Sequence, residues 1–265
     1  MQRRWVTTHE LGVVLLACKA SDGDFQWQKV QHPFTGLVQA NLSPDGHQLA
    51  IVGKLPNQKS MLMRWTIDAS NTLSEVKGED VDGVLFASWH PNGEELVILD
   101  LDANWHRIAS LGESHSLIST EWNTNIAGSD FVGMCWLQEP WLRNNNTEWY
   151  MAILSQNQQG SRIDLVGLDP KSNNKFAPIL SASKITSFAT SPNENLLAIG
   201  DENGTLGVWF AAPSLDRGAR ELFTLPGHRG ASICHLGFSN DGNTILSSDV
   251  NRQSIQWKSM PDRDE

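Results

Sequence analysis

The same order of short apolar strands and tight polar turns recurs along the whole chain of 265 residues. Six residues are interpreted as holding the same place in the third strand of successive copies: Val14, Trp65, Ile108, Val166, Trp209 and Trp257. The intervals between these points are 51, 43, 58, 43 and 48 residues. No segment shows a sustained apolar period of about 3.6 residues. The pattern therefore predicts an all-β repeat protein with very little helix.

The clearest copy is the last one, at residues 225–257 (LPGHRGASICHLGFSNDGNTILSSDVNRQSIQW). It contains a Gly-His pair, three short apolar runs and two tight turns. The fifth copy repeats this order over residues 185–209. An earlier copy has a Pro-Asp-Gly turn at residues 44–46, in which the glycine accepts a positive φ. Because three short strands cannot bury both faces of their sheet alone, each copy needs a neighbouring copy on either side.

The strand count indicates where the repeats are incomplete. If Arg4–Thr8 is a second strand, the chain starts with strands two to four of one blade and ends at Trp257 with strands one to three of another. The spacing is close to the ~40–45 residues of a four-stranded propeller blade. We therefore predict an all-β fold in a single domain over residues 1–265, a β-propeller of four-stranded antiparallel blades. It has about six repeats, with incomplete first and last blades. Removal of residues 1–17 would leave five blades, and a ring completed by a longer protein also fits the count.

The composition excludes several classes of partner. Hydrophobic residues make up 40% of the chain and charged residues 19%, which is typical of a soluble globular protein. The formal net charge is −10, and no cluster of Lys or Arg occurs. Binding to nucleic-acid phosphates or to an anionic membrane needs basic surface. No apolar run approaches the ~20 residues of a membrane span. We expect no nucleic-acid partner and no membrane span.

The three cysteines, Cys18, Cys135 and Cys234, lie far apart in apolar runs and lack zinc-ligand spacing. They are predicted to be reduced and buried, in a cytoplasmic protein. The alternative is an exported lipoprotein with Cys18 as the modified residue, because residues 15–18 (Leu-Leu-Ala-Cys) resemble a lipoprotein cleavage box. Against it, the apolar run before Cys18 has only seven residues, and His and Glu precede it.

The chain resembles the WD-repeat (WD40-like) β-propeller family, most strongly in its last two copies. The resemblance rests on Gly227-His228, the turn at Phe238–Gly242, the run Leu246–Ser248, and the strand ends Ile255–Trp257 and Val208-Trp209. No repeat has Trp followed by Asp, so the dipeptide that gives the family its name is missing.

The resemblance implies a structural hydrogen-bond network in the last copy. Family members often link a His, a Ser or Thr of the second strand, an Asp of the second turn and the Trp. The residues that match here are His228, Ser247 or Ser248, Asp249 or Asn251, and Trp257. We assign the network to His228, Ser247, Asp249 and Trp257.

The sequence carries no motif for catalysis or metal binding. It has no phosphate-binding glycine loop, no GxSxG nucleophile motif and no HExxH pair, and its eight His are dispersed. The carboxylate pairs at residues 22/24 and 100/102 are interpreted as turn residues, because a calcium loop needs more ligands and a closing Glu. We therefore predict no catalytic residue, no metal site and no cofactor.

An insertion at Gln138–Glu148 replaces the first turn of the fourth copy. It is rich in Asn and holds Trp141 and Arg143, and Trp149 follows it directly. Aromatic and Arg side chains in a loop are typical of partner-binding surfaces. Trp141, Arg143 and Trp149 are therefore the predicted partner-binding residues. The alternative is that the Trp side chains fold back onto a blade edge.

These observations predict a non-catalytic scaffold for protein–protein interaction, with one or more protein partners. The alternative is a propeller enzyme or ligand-binding protein that uses a metal or a small molecule in its central channel. The carboxylates in the turns motivate that alternative.

Overall fold

The structure is a computed structural model that describes residues 4–8, 13–19, 24–76, 83–101, 105–109, 118–120, 130–139, 148–167, 177–192, 195–211 and 219–258. These residues form 22 β-strands and no α-helix. The strands make six antiparallel sheets, in which each strand pairs with its neighbour along the chain. The chain divides into two compact units, residues 1–123 and 124–265.

The first unit contains sheets 1 to 3. Sheet 1 consists of β1 (Arg4–Thr8), β2 (Val14–Lys19) and β3 (Phe25–Lys29). Sheet 2 consists of β4 (Gly36–Leu42), β5 (Gln48–Lys54), β6 (Ser60–Ile67) and β7 (Leu73–Glu75). Sheet 3 consists of β8 (Val84–Trp89), β9 (Glu95–Asp100), β10 (Trp105–Ala109) and β11 (Ile118–Thr120).

The second unit contains sheets 4 to 6. Sheet 4 consists of β12 (Asp130–Glu139), β13 (Glu148–Asn157), β14 (Gly160–Gly167) and β15 (Ile179–Ser181). Sheet 5 consists of β16 (Ile185–Thr190), β17 (Leu196–Asp201), β18 (Thr205–Ala211) and β19 (Ala219–Pro226). Sheet 6 consists of β20 (Ile233–Phe238), β21 (Thr244–Asp249) and β22 (Ser254–Lys258).

This strand order confirms the predicted fold class. Sheets 2 to 5 have four strands, and sheets 1 and 6 have three, as expected for incomplete first and last blades. Four of the marker positions pair with the second residue of the second strand of their sheet: Trp65 with Leu49, Ile108 with Leu96, Trp209 with Leu197, and Trp257 with Ile245. These markers are therefore equivalent, including Ile108, which replaces Trp in sheet 3.

The marker chosen for the first copy, Val14, was wrong. Val14 begins β2 and pairs with Thr8 beside the β1–β2 hairpin, whereas Trp65 and Trp257 lie near the ends of their strands. The strand runs on to Lys19, five residues past the chosen marker. The apolar run at the start of β2 resembles the third strand of other copies, but its apolar character alone does not fix the register.

Each unit buries apolar side chains between neighbouring sheets. In the first unit, Leu16 of β2 packs in one core with Leu49 and Ile51 of β5. In the second unit, Ile163 of β14 shares a core with Leu197 of β17. Burial of one such side chain stabilises the fold by about 1.5–3 kcal/mol. The second strands are apolar along most of their length because both of their faces are covered.

The first strand of each of sheets 2 to 6 is called the inner strand. In sheets 2, 3 and 6 the turn after it contains a glycine with a positive φ. Gly46, Gly93 and Gly242 have φ values of 73°, 78° and 75°. Each donates its backbone N–H to the carbonyl oxygen three residues earlier, at 2.8–2.9 Å. A residue with a Cβ adopts this conformation only at a cost, so glycine suits these positions.

A one-residue bulge recurs near the start of the inner strand in sheets 2 to 6. It lies between Leu37 and Gln39 in β4, and the same shift occurs in β8, β12, β16 and β20. A bulge bends its strand and increases the local twist. The five sheets therefore share a backbone irregularity in addition to their strand order.

Candidate interaction site

The four residues of the assigned network lie together in sheet 6. The His228 ring has Nδ1 at 3.1 Å from Asp249 Oδ2 and Nε2 at 2.8 Å from Ser247 Oγ. The indole N–H of Trp257 donates to the same Ser247 Oγ at 2.9 Å. His228, Ser247 and Asp249 are at most 2% exposed. The structure thus joins all four side chains, and it uses Ser247 rather than Ser248.

One arrangement of protons satisfies every member of this network. Because Ser247 Oγ accepts a hydrogen bond from the indole N–H of Trp257, its own O–H can donate a hydrogen bond to His228 Nε2. The other ring nitrogen then carries the proton that is donated to Asp249. The four side chains form a continuous chain of donors and acceptors, which fixes the position of β22 against β21.

The carboxylate of Asp249 also closes the turn between β21 and β22. Its Oδ1 accepts the backbone N–H of Asn251 and of Gln253, both at 2.9 Å. Burial alone would raise the pKa of Asp249, but the hydrogen bonds from Gln253, His228 and Asn251 outweigh it and hold the pKa below its ordinary value. The ionised carboxylate is therefore the form that the folded structure stabilises.

The lowered pKa predicts an acid-sensitive contribution to stability. A carboxyl group whose pKa is lower in the folded state stabilises the fold fully above about pH 4, and this stabilisation is lost as the pH falls through the folded-state pKa. We expect the free energy of unfolding, measured with urea at about pH 5 and about pH 3, to fall less in Asp249→Asn than in the wild type. An equal fall in the two proteins would contradict this role of Asp249.

The network has no counterpart in sheets 2, 3 and 5. Ser247 lies two residues after the partner of the Trp on the second strand, and Ile51, Ile98 and Ile199 hold the same place in those sheets. An isoleucine side chain has no acceptor for an indole N–H. As a result, Trp209 in sheet 5 forms no side-chain hydrogen bond with any described residue.

The predicted partner-binding residues are only partly described. Trp141 and Arg143 lie outside the described residues. Trp149 is the second residue of β13, pairs with Gln138 of β12 and is half-buried. The β12–β13 ladder includes Gln138, Glu139 and Glu148 of the predicted insertion, so Trp149 lies in a regular strand. Its role in partner binding stays a prediction.

The outer strand β3 presents two aromatic side chains to solvent. Trp27 is 59% exposed and Phe25 is 39% exposed. The two residues are two apart on one strand, so they lie on the same face of sheet 1. Trp27 therefore does not pack between sheets, whereas Trp65 and Trp89 are buried. We call Phe25 and Trp27 the β3 aromatic pair.

A cleft of about 220 Å³ opens within the second unit, between sheets 4 and 5. The outer strands β15 and β19 form its walls, and β18 contributes to its floor. The strand β15 has only three residues, whereas β19 has eight, so the edge of sheet 4 ends short of its neighbour. We call this feature the β15–β19 cleft. No sequence motif marks it, because it arises from the unequal lengths of two outer strands.

No group of three or more His, Cys, Asp or Glu side chains is placed to hold a metal ion in the described part of the chain. Nor do the described residues contain a helix long and apolar enough to cross a membrane. The three cysteines are free thiols.

The family comparison matches the C-terminal part of the chain. Residues 175–209 and 219–258 match the family described as "WD domain, G-beta repeat". These ranges include β15 to β17 with most of β18, and β19 to β22. No curated protein sequence matches the chain significantly.

Solved structures share the fold, and 1002 chains match, so the fold by itself singles out no function. A chain of the Mitotic Checkpoint Complex is 14% identical with a TM-score of 0.52, and the match covers 97% of this chain and 86% of that chain. Sqt1 of Chaetomium thermophilum is 15% identical with a TM-score of 0.60, covering 96% of this chain and 65% of that chain. The Cps50 (Swd1) β-propeller domain of Myceliophteria thermophila is 13% identical with a TM-score of 0.63, covering 96% and 78%.

At these identities the similarity shows the fold alone, and this chain spans less than two thirds of the Sqt1 chain. Propellers of the WD40 type are typically protein-interaction scaffolds and are generally non-catalytic. The hydrogen-bonded His, Ser, Asp and Trp of sheet 6 lie inside a range that matches the repeat. Residues 175–209 and 219–258 match the WD repeat, and the resemblance of the chain to the WD-repeat β-propellers is confirmed.

Proposed function

We propose that this chain is a non-catalytic scaffold that holds one or more protein partners. The observation that carries the proposal is the exposure of the β3 aromatic pair, with Trp27 at 59%. Trp is among the residue types that contribute most to protein–protein affinity, because a large apolar surface is buried at a small cost in side-chain entropy. The similarity to a chain of the Mitotic Checkpoint Complex also supports a role in assemblies of proteins.

The strand that carries the pair suits a protein interface. Polar side chains, Gln26 and Gln28, alternate with the aromatic ones and lie on the opposite face of β3. The strand is also an edge of sheet 1, so its outer main-chain groups pair with no described strand of that sheet. An apolar anchor beside main-chain groups that can form hydrogen bonds is the usual composition of a binding interface.

The variant Trp27→Ala is expected to lose a protein partner. Truncation of an anchoring Trp costs about 2 kcal/mol or more, which corresponds to about a 30-fold loss of affinity. The tagged full chain is used to recover proteins from its native cells, and the recovered partner is then produced and titrated by calorimetry with the wild type and the variant.

The control is Gln26→Ala, which changes an exposed side chain on the opposite face of the same strand. It is expected to retain the partner with an affinity within about twofold of the wild type. Recovery of the same proteins at the same affinity by Trp27→Ala would remove the support for this surface. Turnover of a small molecule by the purified chain would favour the enzyme alternative.

We also propose a cytoplasmic location. The side chain of Cys18 is buried in β2, where Cys18 pairs with Arg4 and Gln26 of the adjacent strands. Burial raises the pKa of the Cys18 thiol, although the charge of Arg4 opposes the shift, and a neutral thiol is unreactive. Intact mass of the protein from its native cells distinguishes this proposal from lipid attachment at Cys18, which would remove residues 1–17 and with them β1.

A further inference from the structure

We propose that the β15–β19 cleft binds an extended segment of a partner protein through one arginine side chain. This inference rests on the proposed scaffold function and names a chemical class of partner for it. The cleft belongs to the second unit and the β3 aromatic pair to the first, so a test of one surface can fail without the other.

The size and borders of the cleft favour a single side chain on an extended chain. Its volume of about 220 Å³ is below the ~300–1,000 Å³ of pockets that enclose a whole small molecule. Both walls are edge strands, and an edge strand can pair with an added extended segment. Leu180 at the β15 edge is 70% exposed and offers apolar contact beside the opening.

Two carboxylates line the cleft. Asp201 Oδ1 accepts the backbone N–H groups of Asn203 and Thr205, at 2.9 and 2.8 Å. Glu221 Oε1 accepts the hydroxyl of Thr224. Each carboxylate is therefore held through one oxygen, and neither forms an ion pair with a Lys or Arg among the described residues. The negative charge of these two carboxylates therefore favours the binding of a cationic group from another molecule.

The floor of the cleft favours arginine over lysine. Trp209 supplies an aromatic surface. Its indole N–H donates to no serine among the described residues, whereas that of Trp257 in sheet 6 donates to Ser247. A Cβ at Gly207 would lie 3.2 Å from Trp209 Nε1, so the glycine leaves room for the indole. A guanidinium group packs against an aromatic side chain and also binds a carboxylate through two parallel hydrogen bonds. An ammonium group cannot form this pair of parallel hydrogen bonds.

The test uses the full chain and a fluorescent peptide in which one central arginine is flanked by valine and threonine, residues that favour an extended conformation. The matched peptide carries neutral citrulline in place of the arginine. Anisotropy titration is expected to show about tenfold tighter binding of the arginine peptide, the effect of a hydrogen bond to a charged group. Glu221→Gln is expected to lose about that factor.

The matched control is Glu202→Gln, which makes the same change of charge at an exposed residue of the neighbouring turn outside the cleft lining. It is expected to bind the arginine peptide within about twofold of the wild type. Trp27→Ala is also expected to bind it normally, which separates this inference from the β3 aromatic pair. Equal affinity for the two peptides, no binding of either, or equal losses in Glu202→Gln and Glu221→Gln would overturn the proposal.

Discussion

Replacement of Ser247 by Ala is expected to lower the free energy of unfolding by about 2–4 kcal/mol. The hydroxyl is completely buried and serves both the Trp257 indole N–H and His228 Nε2. Its loss leaves a donor and an acceptor unpaired in the interior, and each unpaired group costs about 1–3 kcal/mol. Urea unfolding of the full chain, followed by tryptophan fluorescence, measures the change.

The neighbouring residue provides the control. Ser248 points to the opposite face of β21, and its Oγ lies 2.8 Å from Ser254 Oγ at the exposed side of sheet 6. Ser248→Ala is therefore expected to change the free energy of unfolding by at most about 0.5 kcal/mol. If the two variants were equally stable, the buried network would not be a main support of sheet 6.

Replacement of Gly160 by Ala is expected to lower the free energy of unfolding by more than about 4 kcal/mol. Gly160 begins β14 with φ at 136°, a conformation that other residues rarely adopt. An added Cβ would lie 2.1 Å from the carbonyl oxygen of Ser181 in β15. Because that neighbour is main chain, it cannot rotate away, and the contact between β14 and β15 must open. Thermal unfolding and the soluble yield of the variant measure the effect.

Gly237→Ala is the matched control. Gly237 lies in β20, and an added Cβ there would meet no atom within 4 Å. Alanine restricts the unfolded chain more than glycine does, so this variant is expected to be as stable as the wild type or slightly more stable. A Gly160→Ala protein that unfolded at the wild-type temperature would contradict the close approach of β14 and β15.

The strand order could be predicted from the sequence because it depends on local chemistry. The recurring order of apolar runs and polar turns marked the same point, a Trp or an Ile, in sheets 2, 3, 5 and 6, and the pairing with the second strand agrees in each. The turn glycines, such as Gly46 and Gly242, were recognisable because few residue types suit a positive φ.

The surfaces could not be predicted in the same way, because they depend on what covers a strand. Alternation along β3 indicates that Phe25 and Trp27 share a face, but it does not say whether another element packs on that face. The β15–β19 cleft depends on how far two outer strands extend, and strand ends are the least certain part of a sequence pattern. The inner-strand bulges do not fall at one residue type, so no single residue signals them.

The pairing of every strand with its neighbour along the chain has a consequence for how the protein folds. Every ladder in the six described sheets joins strands that are adjacent in the sequence. The loop-closure entropy that each ladder costs is therefore small. Proteins rich in local contacts cross a lower entropic barrier than β-proteins with long-range pairing. Folding can therefore nucleate in any one sheet of a unit, and the apolar face of that sheet then provides the surface on which the next sheet condenses.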